Sequence, residues 1–211
     1  MKKILHKKSA QKAVCGIIGG MGPIAGVNLH QKIIQYTPNI KIDQNHLTVH
    51  HISQSNSISD RTRYLLSESN KKIENPSIGA YKSFQSLVKS IDEQDKVIIG
   101  VPCNTFHSSY IWIPFLQKID TNPRENTYII NMIQETVDKI NLSFPKSKKI
   151  GILCTNGTKN THLYDNYFDK KNKEIVYLNS KLQTQLSKAI YNLNWGLKVK
   201  NNPVNPKALT P

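Results

Sequence analysis

Apolar positions recur along this chain in two alternating patterns. From Ala13 the run AVCGII is short and continuous, stops at GGMGP, and gives way to IAGVNLHQKIIQY, whose apolar residues fall at helical spacing. That reads as strand, tight glycine turn, helix. The succession returns: HLTVHHI (46–52) predicts a strand, SDRTRYLL (59–66) opens a helix, and IGAYKSFQSLVKSI (78–91) is an amphipathic helix. DKVIIGVP then predicts a strand ending at Pro102, followed by CNTFHSSYIW. Farther on, TYII (127–130) leads into NMIQETVDKI, KKIGILCT (148–155) into a helical stretch around HLYDNYF, and EIVYL into KLQTQLSKAIYNL. Strands and helices alternating at this spacing indicate parallel βαβ units, and strand runs without alternation suit a sheet covered on both faces. DTNPREN (120–126), rich in turn formers, predicts a break. The expected class is therefore α/β, with a basic tail over residues 1–12, a first domain over 13–120 and a smaller second domain over 121–211. The second has only two strands, few for a free-standing sheet.

Composition narrows the picture. With 211 residues and 38% hydrophobic residues the chain can build a core, which excludes disorder. Cys15, Cys103 and Cys154 are odd in number and far apart, without the spacing of a zinc site or a disulfide framework, so a reduced, cytoplasmic chain is expected. No apolar run approaches the ~18 residues of a spanning helix, and the first residues lack the apolar stretch of a signal peptide, so no membrane association is expected. The 29 basic and 14 acidic residues leave a net charge of +15. Arginine, the residue suited to bidentate phosphate and base recognition, occurs only at Arg61, Arg63 and Arg124. Lysine spread along the whole length predicts a solvated surface rather than a nucleic-acid partner.

In an open α/β sheet, ligands bind beyond the carboxyl ends of the strands. GGMGP follows the first predicted strand, SDRT the second and PCNT the third, so the fold should bring all three to one crevice. Gly20-Met21-Gly22-Pro23-Ile24-Ala25 satisfies a loose dinucleotide fingerprint, yet Asp43, the would-be ribose acid, precedes the second strand instead of ending it. A tight turn passing close to a neighbour is the better reading. Cys103 opens a helical stretch, where free N–H groups favour a thiolate, and by position alone it is either a reactive thiol or an inert buried one. Cys15 and Cys154 sit in apolar runs and read as small core residues. Arg61 is placed either to present its fork to a carboxylate or to pair with Asp60. His50 and His51 should point to opposite faces of a strand, which disfavours joint metal ligation, and His107 is either a base near Cys103 or a structural hydrogen-bonding residue.

Taken in order, CGIIGGMGP, KIIQYTP with IDQNH, ISDRT, VPCNTFHSSY and ILCTNGT resemble the cofactor-independent aspartate/glutamate racemase family, closest to its aspartate racemase branch, from about Ala13 to Lys198. The resemblance implies two similar parallel-sheet, three-layer domains facing a cleft, a homodimer, neither pyridoxal phosphate nor metal, and a small acidic amino acid as substrate. It also implies one acid/base cysteine per domain, since inverting Cα needs a proton removed on one face and delivered on the other. Carried over by motif, Cys103 is the first acid/base, Asn104 and Thr105 bind the substrate carboxylate beside it, and Asp60, Arg61 and Thr62 form the gripping loop. Lys198, in WGLK, resembles a lysine that touches the substrate. Phe106 stands where relatives often have alanine, which implies an altered pocket. The family's second cysteine lies in a GCTE-type motif after the segment resembling AIYNLNWGLK, and none occurs before Pro211. A shortened, incomplete second domain is therefore expected. Three readings follow: a racemase, inactive if the second acid/base is lost; a non-catalytic acidic amino-acid-binding relic; or a one-thiol enzyme of the same superfamily.

Overall fold

A computed structural model of the protein describes residues 11–67, 73–168, 173–198 and 206–208. Among these residues six strands, β1 (Ala13–Gly19), β2 (Thr48–Ser53), β3 (Lys96–Gly100), β4 (Thr127–Ile130), β5 (Lys149–Ile152) and β6 (Glu174–Tyr177), form two parallel sheets. The larger has the order β2-β1-β3-β4, and the smaller pairs β5 with β6. Among the described residues eight α-helices connect them: α1 (Pro23–Tyr36), α2 (Arg61–Leu66), α3 (Pro76–Val88), α4 (Ser109–Asp120), α5 (Met132–Ser143), α6 (Asn156–Asn160), α7 (Asp165–Phe168) and α8 (Ser180–Tyr191). The expected α/β class and parallel sheets are what the chain forms. Most of the expected tail lies outside the described residues, but Lys12 already belongs to the fold: its N–H donates to Asp95 Oδ1 and its carbonyl accepts from Lys96.

β4 corrects the expected organisation. Its residues lie in register with β3, Val97 opposite Thr127 and Gly100 opposite Ile130, so the strand completes the first sheet instead of starting the second. DTNPREN is the turn that brings it there. The Arg124 guanidinium fastens that turn by donating to the carbonyls of Asp92, Asp95 and Glu125 and to Thr127 Oγ1. The change of sheet comes immediately afterwards, at Asn131, whose side chain caps α5 by accepting from Ile133 and Gln134. Ile133 and Val137 of α5 then enter a second core with Leu163, Tyr164 and Phe168, against which Ile150, Ile152 and Ile175 of the small sheet pack.

Strand burial also departs from expectation. Val14, Ile18, Val97 and Ile99 face α3 and α4 in the main core with Phe84, Leu87, Phe106 and Phe115. On the opposite face, α1 packs against β1 and β2. Over β3 and β4 the sheet stays open among the described residues, and Ile98 is 40% exposed. Cys15 faces this open side, half-exposed in an apolar groove of about 600 Å³ with Leu29, Ile33, Ile98 and Ile130. The expectation that Cys15 is a core residue fails because the covering layer is partial.

Candidate active site

β1, β2 and β3 run parallel, so their carboxyl ends open on one side of the sheet. Gly20 adopts φ +94°, and a Cβ there would meet the backbone nitrogens of Gln54 and Ser55 at 2.9 Å. The glycine turn thus presses against the loop after β2, as a tight pass should. Asp43 sits in a one-turn 3₁₀ helix ahead of β2, away from the strand end where a ribose acid belongs. In the loop after β2, Asp60 caps α2, its Oδ1 accepting from the Arg63 N–H at 2.8 Å. Asp60 therefore serves the loop by starting the helix that carries Arg61 and Thr62 in its first turn. Arg61 is only 8% exposed and donates through Nη1 to the Ser59 carbonyl. No Arg61–Asp60 ion pair forms, and Arg61 Nε is buried without a hydrogen-bond partner among the described residues. A buried guanidinium with free donor capacity is suited to a carboxylate.

The segment after β3 turns through a short 3₁₀ helix, Asn104–His107, with the half-exposed Cys103 at its N-terminus. Its side chains diverge. Phe106 is fully buried, edge-on to Trp112 and Phe115, so it belongs to the core and does not narrow a pocket. His107 accepts at Nε2 from the Met132 N–H, which leaves Nδ1 protonated to donate to the Cys103 carbonyl at 2.9 Å. It stacks on Trp112, and burial pushes it down to about 4. His107 is a neutral structural clamp between the cysteine turn and the start of α5, not a base.

Asn104 and Thr105 point across to the second unit. Tyr164 donates its hydroxyl to Asn104 Oδ1, which leaves the amide NH₂ as the donor on the other side of that group. Burial holds the Tyr164 phenol protonated, up to about 12. Thr105 Oγ1 lies 3.0 Å from Thr155 Oγ1 and 2.9 Å from Thr158 Oγ1, while Thr62 Oγ1 lies 3.5 Å from Thr155 Oγ1 and 2.9 Å from the Tyr191 hydroxyl. Five hydroxyls from α2, the Cys103 turn, the loop after β5, α6 and α8 thus bond to one another in the crevice. Gly157 permits the approach: a Cβ there would crowd Thr105 Cγ2 at 3.0 Å and the Thr62 Cα at 3.1 Å. Lys198 is exposed, its ammonium 4.6 Å from the centre of the Tyr191 ring.

No family model matches the chain. Solved structures do. A Picrophilus torridus aspartate racemase superposes with a TM-score of 0.69 at 22% identity, over 95% of this chain and 74% of that one. The chain has the aspartate racemase fold. An aspartate racemase homologue from Pyrococcus horikoshii gives 0.57 at 18% identity, covering 84% of this chain and 69% of its own. An Asp/Glu racemase candidate from Yersinia pestis gives 0.59 at 16%, covering 86% and 71%.

Within this fold, the structure brings Thr62, Asn104 and Thr105 together with Thr155, Thr158, Tyr164 and Tyr191, and sets Cys103 two residues from Thr105. The last four hydroxyl residues were not singled out from the sequence. Thr155 and Thr158 follow β5 as PCNT follows β3, so the strand-end rule applied to the second sheet would have found them. Tyr191 closes an ordinary amphipathic helix and has no such signal. Cys154 lies beyond the end of β5 instead of within it. It is buried there, its carbonyl accepts from Gln183, and burial raises its thiol to about 11.

Proposed function

We propose that the protein acts at Cα of a small acidic amino acid, as a racemase-type enzyme that needs no cofactor, with Cys103 as acid/base. The observation that carries this reading is the hydroxyl network joining Thr62 and Thr105 to Thr155, with the half-exposed Cys103 two residues before Thr105 in the chain and the buried Arg61, its Nε unpartnered among the described residues, next to Thr62 in the chain. In thiolate form, Cys103 takes the Cα proton, and the electron pair left on Cα spreads onto the α-carboxylate. The Thr62, Thr105 and Thr155 hydroxyls, now bonded to one another, turn to donate to that developing charge, together with the Asn104 amide. Arg61 grips a substrate carboxylate, and Lys198 supplies a second cation. The thiol proton exchanges with water before its return to Cα. Return to the same face restores the starting enantiomer. Inversion needs a donor on the other face, and the remaining thiols are Cys15, on the open face of the first sheet, and the buried, protonated Cys154.

L-Aspartate incubated with the protein in deuterated water should gain deuterium at Cα with little D-aspartate formed, as read by chiral chromatography with mass detection. Cys103→Ala should abolish the exchange. Arg61→Lys, which cannot reproduce the fork, should weaken L-aspartate binding about tenfold, as expected for a charged hydrogen bond of roughly 1.5–3 kcal/mol. Rapid D-aspartate formation dependent on Cys103 would establish a second acid/base. Binding in calorimetry without exchange would make this an amino-acid-binding protein.

A further inference from the structure

The end of α8 is built in an unusual way. After Tyr191 the helix stops, but the chain folds back onto it: the Leu197 N–H donates to the Ala189 carbonyl and the Lys198 N–H to the Ile190 carbonyl, at 2.9 and 3.1 Å. In a continuing helix those carbonyls would accept from residues 193 and 194. Four residues are thus looped out, and Lys198 is returned to the last turn. The loop is held from within, because Asn192 Oδ1 accepts from the N–H groups of Asn194 and Trp195, and the Asn192 carbonyl from Gly196. Gly196 closes it: a Cβ there would sit 2.6 Å from the Asn192 nitrogen and 2.7 Å from its oxygen.

The return places the Lys198 ammonium over the Tyr191 ring at 4.6 Å, while the hydroxyl of that ring lies 2.9 Å from Thr62 Oγ1. One side chain therefore seats a cation on its face and fixes that seat to the first-sheet loop at its tip. We propose that Tyr191 is a positioning residue, holding Lys198 at the crevice for an anionic ligand. This deepens the acidic amino-acid reading and rests on it for the ligand. An exposed lysine otherwise samples many rotamers, and an aromatic face with a tethered hydroxyl removes that freedom before the ligand arrives.

Two measurements test the assignment. In calorimetry with L-aspartate, Lys198→Ala should weaken binding about two- to fivefold, the effect of losing an exposed ion pair with the ligand. The loss should shrink in a Tyr191→Phe background, which keeps the ring but not its tether, and vanish in Tyr191→Leu. An equal loss in all three backgrounds overturns the proposal. The second measurement needs no ligand. After reductive ¹³C-methylation, the Lys198 methyl resonance, assigned by its disappearance in Lys198→Arg, should be ring-current shifted upfield, retained in Tyr191→Phe and lost in Tyr191→Leu. A Lys198 methyl resonance at the ordinary lysine position in the methylated protein without substitutions overturns the proposal. An upfield shift with no L-aspartate binding upholds the Tyr191–Lys198 pairing and overturns the functional reading instead.

Discussion

A thiol reacts through its anion, so the three cysteines differ by what surrounds each sulfur. Burial raises the Cys154 thiol to about 11 and also moves Cys15 upward, whereas Cys103 stands half-exposed at the head of a helical turn. Iodoacetamide at neutral pH, followed by peptide mapping, should therefore label Cys103 well before the other two. Faster labelling of Cys154 would move the reactive thiol to the second unit. The neighbours of Cys103 show how far residue-level reading reaches. That Asn104 and Thr105 face the crevice was legible because polar side chains at a strand end have few other tasks. Phe106, expected to alter the pocket, belongs to the core instead. In a 3₁₀ turn successive side chains point about 120° apart, so adjacent residues meet different surroundings. Asn104 meets Tyr164, Thr105 meets the threonines of the second unit, and Phe106 and His107 turn to Trp112.

Elements were legible where hydrophobic period and turn chemistry agreed, as in β1, α1, α3 and α8, whose observed spans lie close to those expected from the pattern. Their partners were not. The pattern that made TYII a strand held no information about which sheet it joins, and DTNPREN marked a turn without marking a boundary. The actual change of sheet, at Asn131, spans a single capping residue that composition cannot flag. Glycine contacts are a further layer that period does not reveal. A Cβ at Gly79 of α3 would collide with the carbonyl of Ser57, three residues before the Asp60 cap, so this glycine sets how closely the loop carrying Arg61 and Thr62 approaches the core. Gly79→Ala is expected to lower stability by about 1–3 kcal/mol, as overpacking does, and to weaken L-aspartate binding. Ser86→Ala on the same helix, whose hydroxyl bonds only its own turn, serves as the control and should stay within about 0.5 kcal/mol in urea unfolding. An unchanged midpoint for Gly79→Ala would show that α3 has room to retreat.

At the scale of the whole molecule the two units are unequal. The first is held by an extended core on the α3–α4 side of a four-stranded sheet. The second rests on Ile133, Val137, Leu163, Tyr164 and Phe168 under two strands whose other face, at Gly151 and Val176, is exposed. A two-stranded sheet has little independent stability, so the second unit depends on what it shares with the first: α5, which leaves the first sheet directly from β4, and the hydroxyl contacts of Thr155, Thr158 and Tyr191. Opening it would break the crevice while leaving the first core intact. Native-state hydrogen exchange should therefore find the β5 and β6 amides opening at lower free energy than those of β1 and β3. A ligand bound between the units is released by that same opening, so L-aspartate at a hundred times its Kd should slow the β5 and β6 amides about a hundredfold and leave the slowest β1 and β3 amides to follow global unfolding. Equal protection in both sheets without ligand would show one cooperative core. Unequal protection that L-aspartate leaves unchanged would show that the ligand does not bridge the two units.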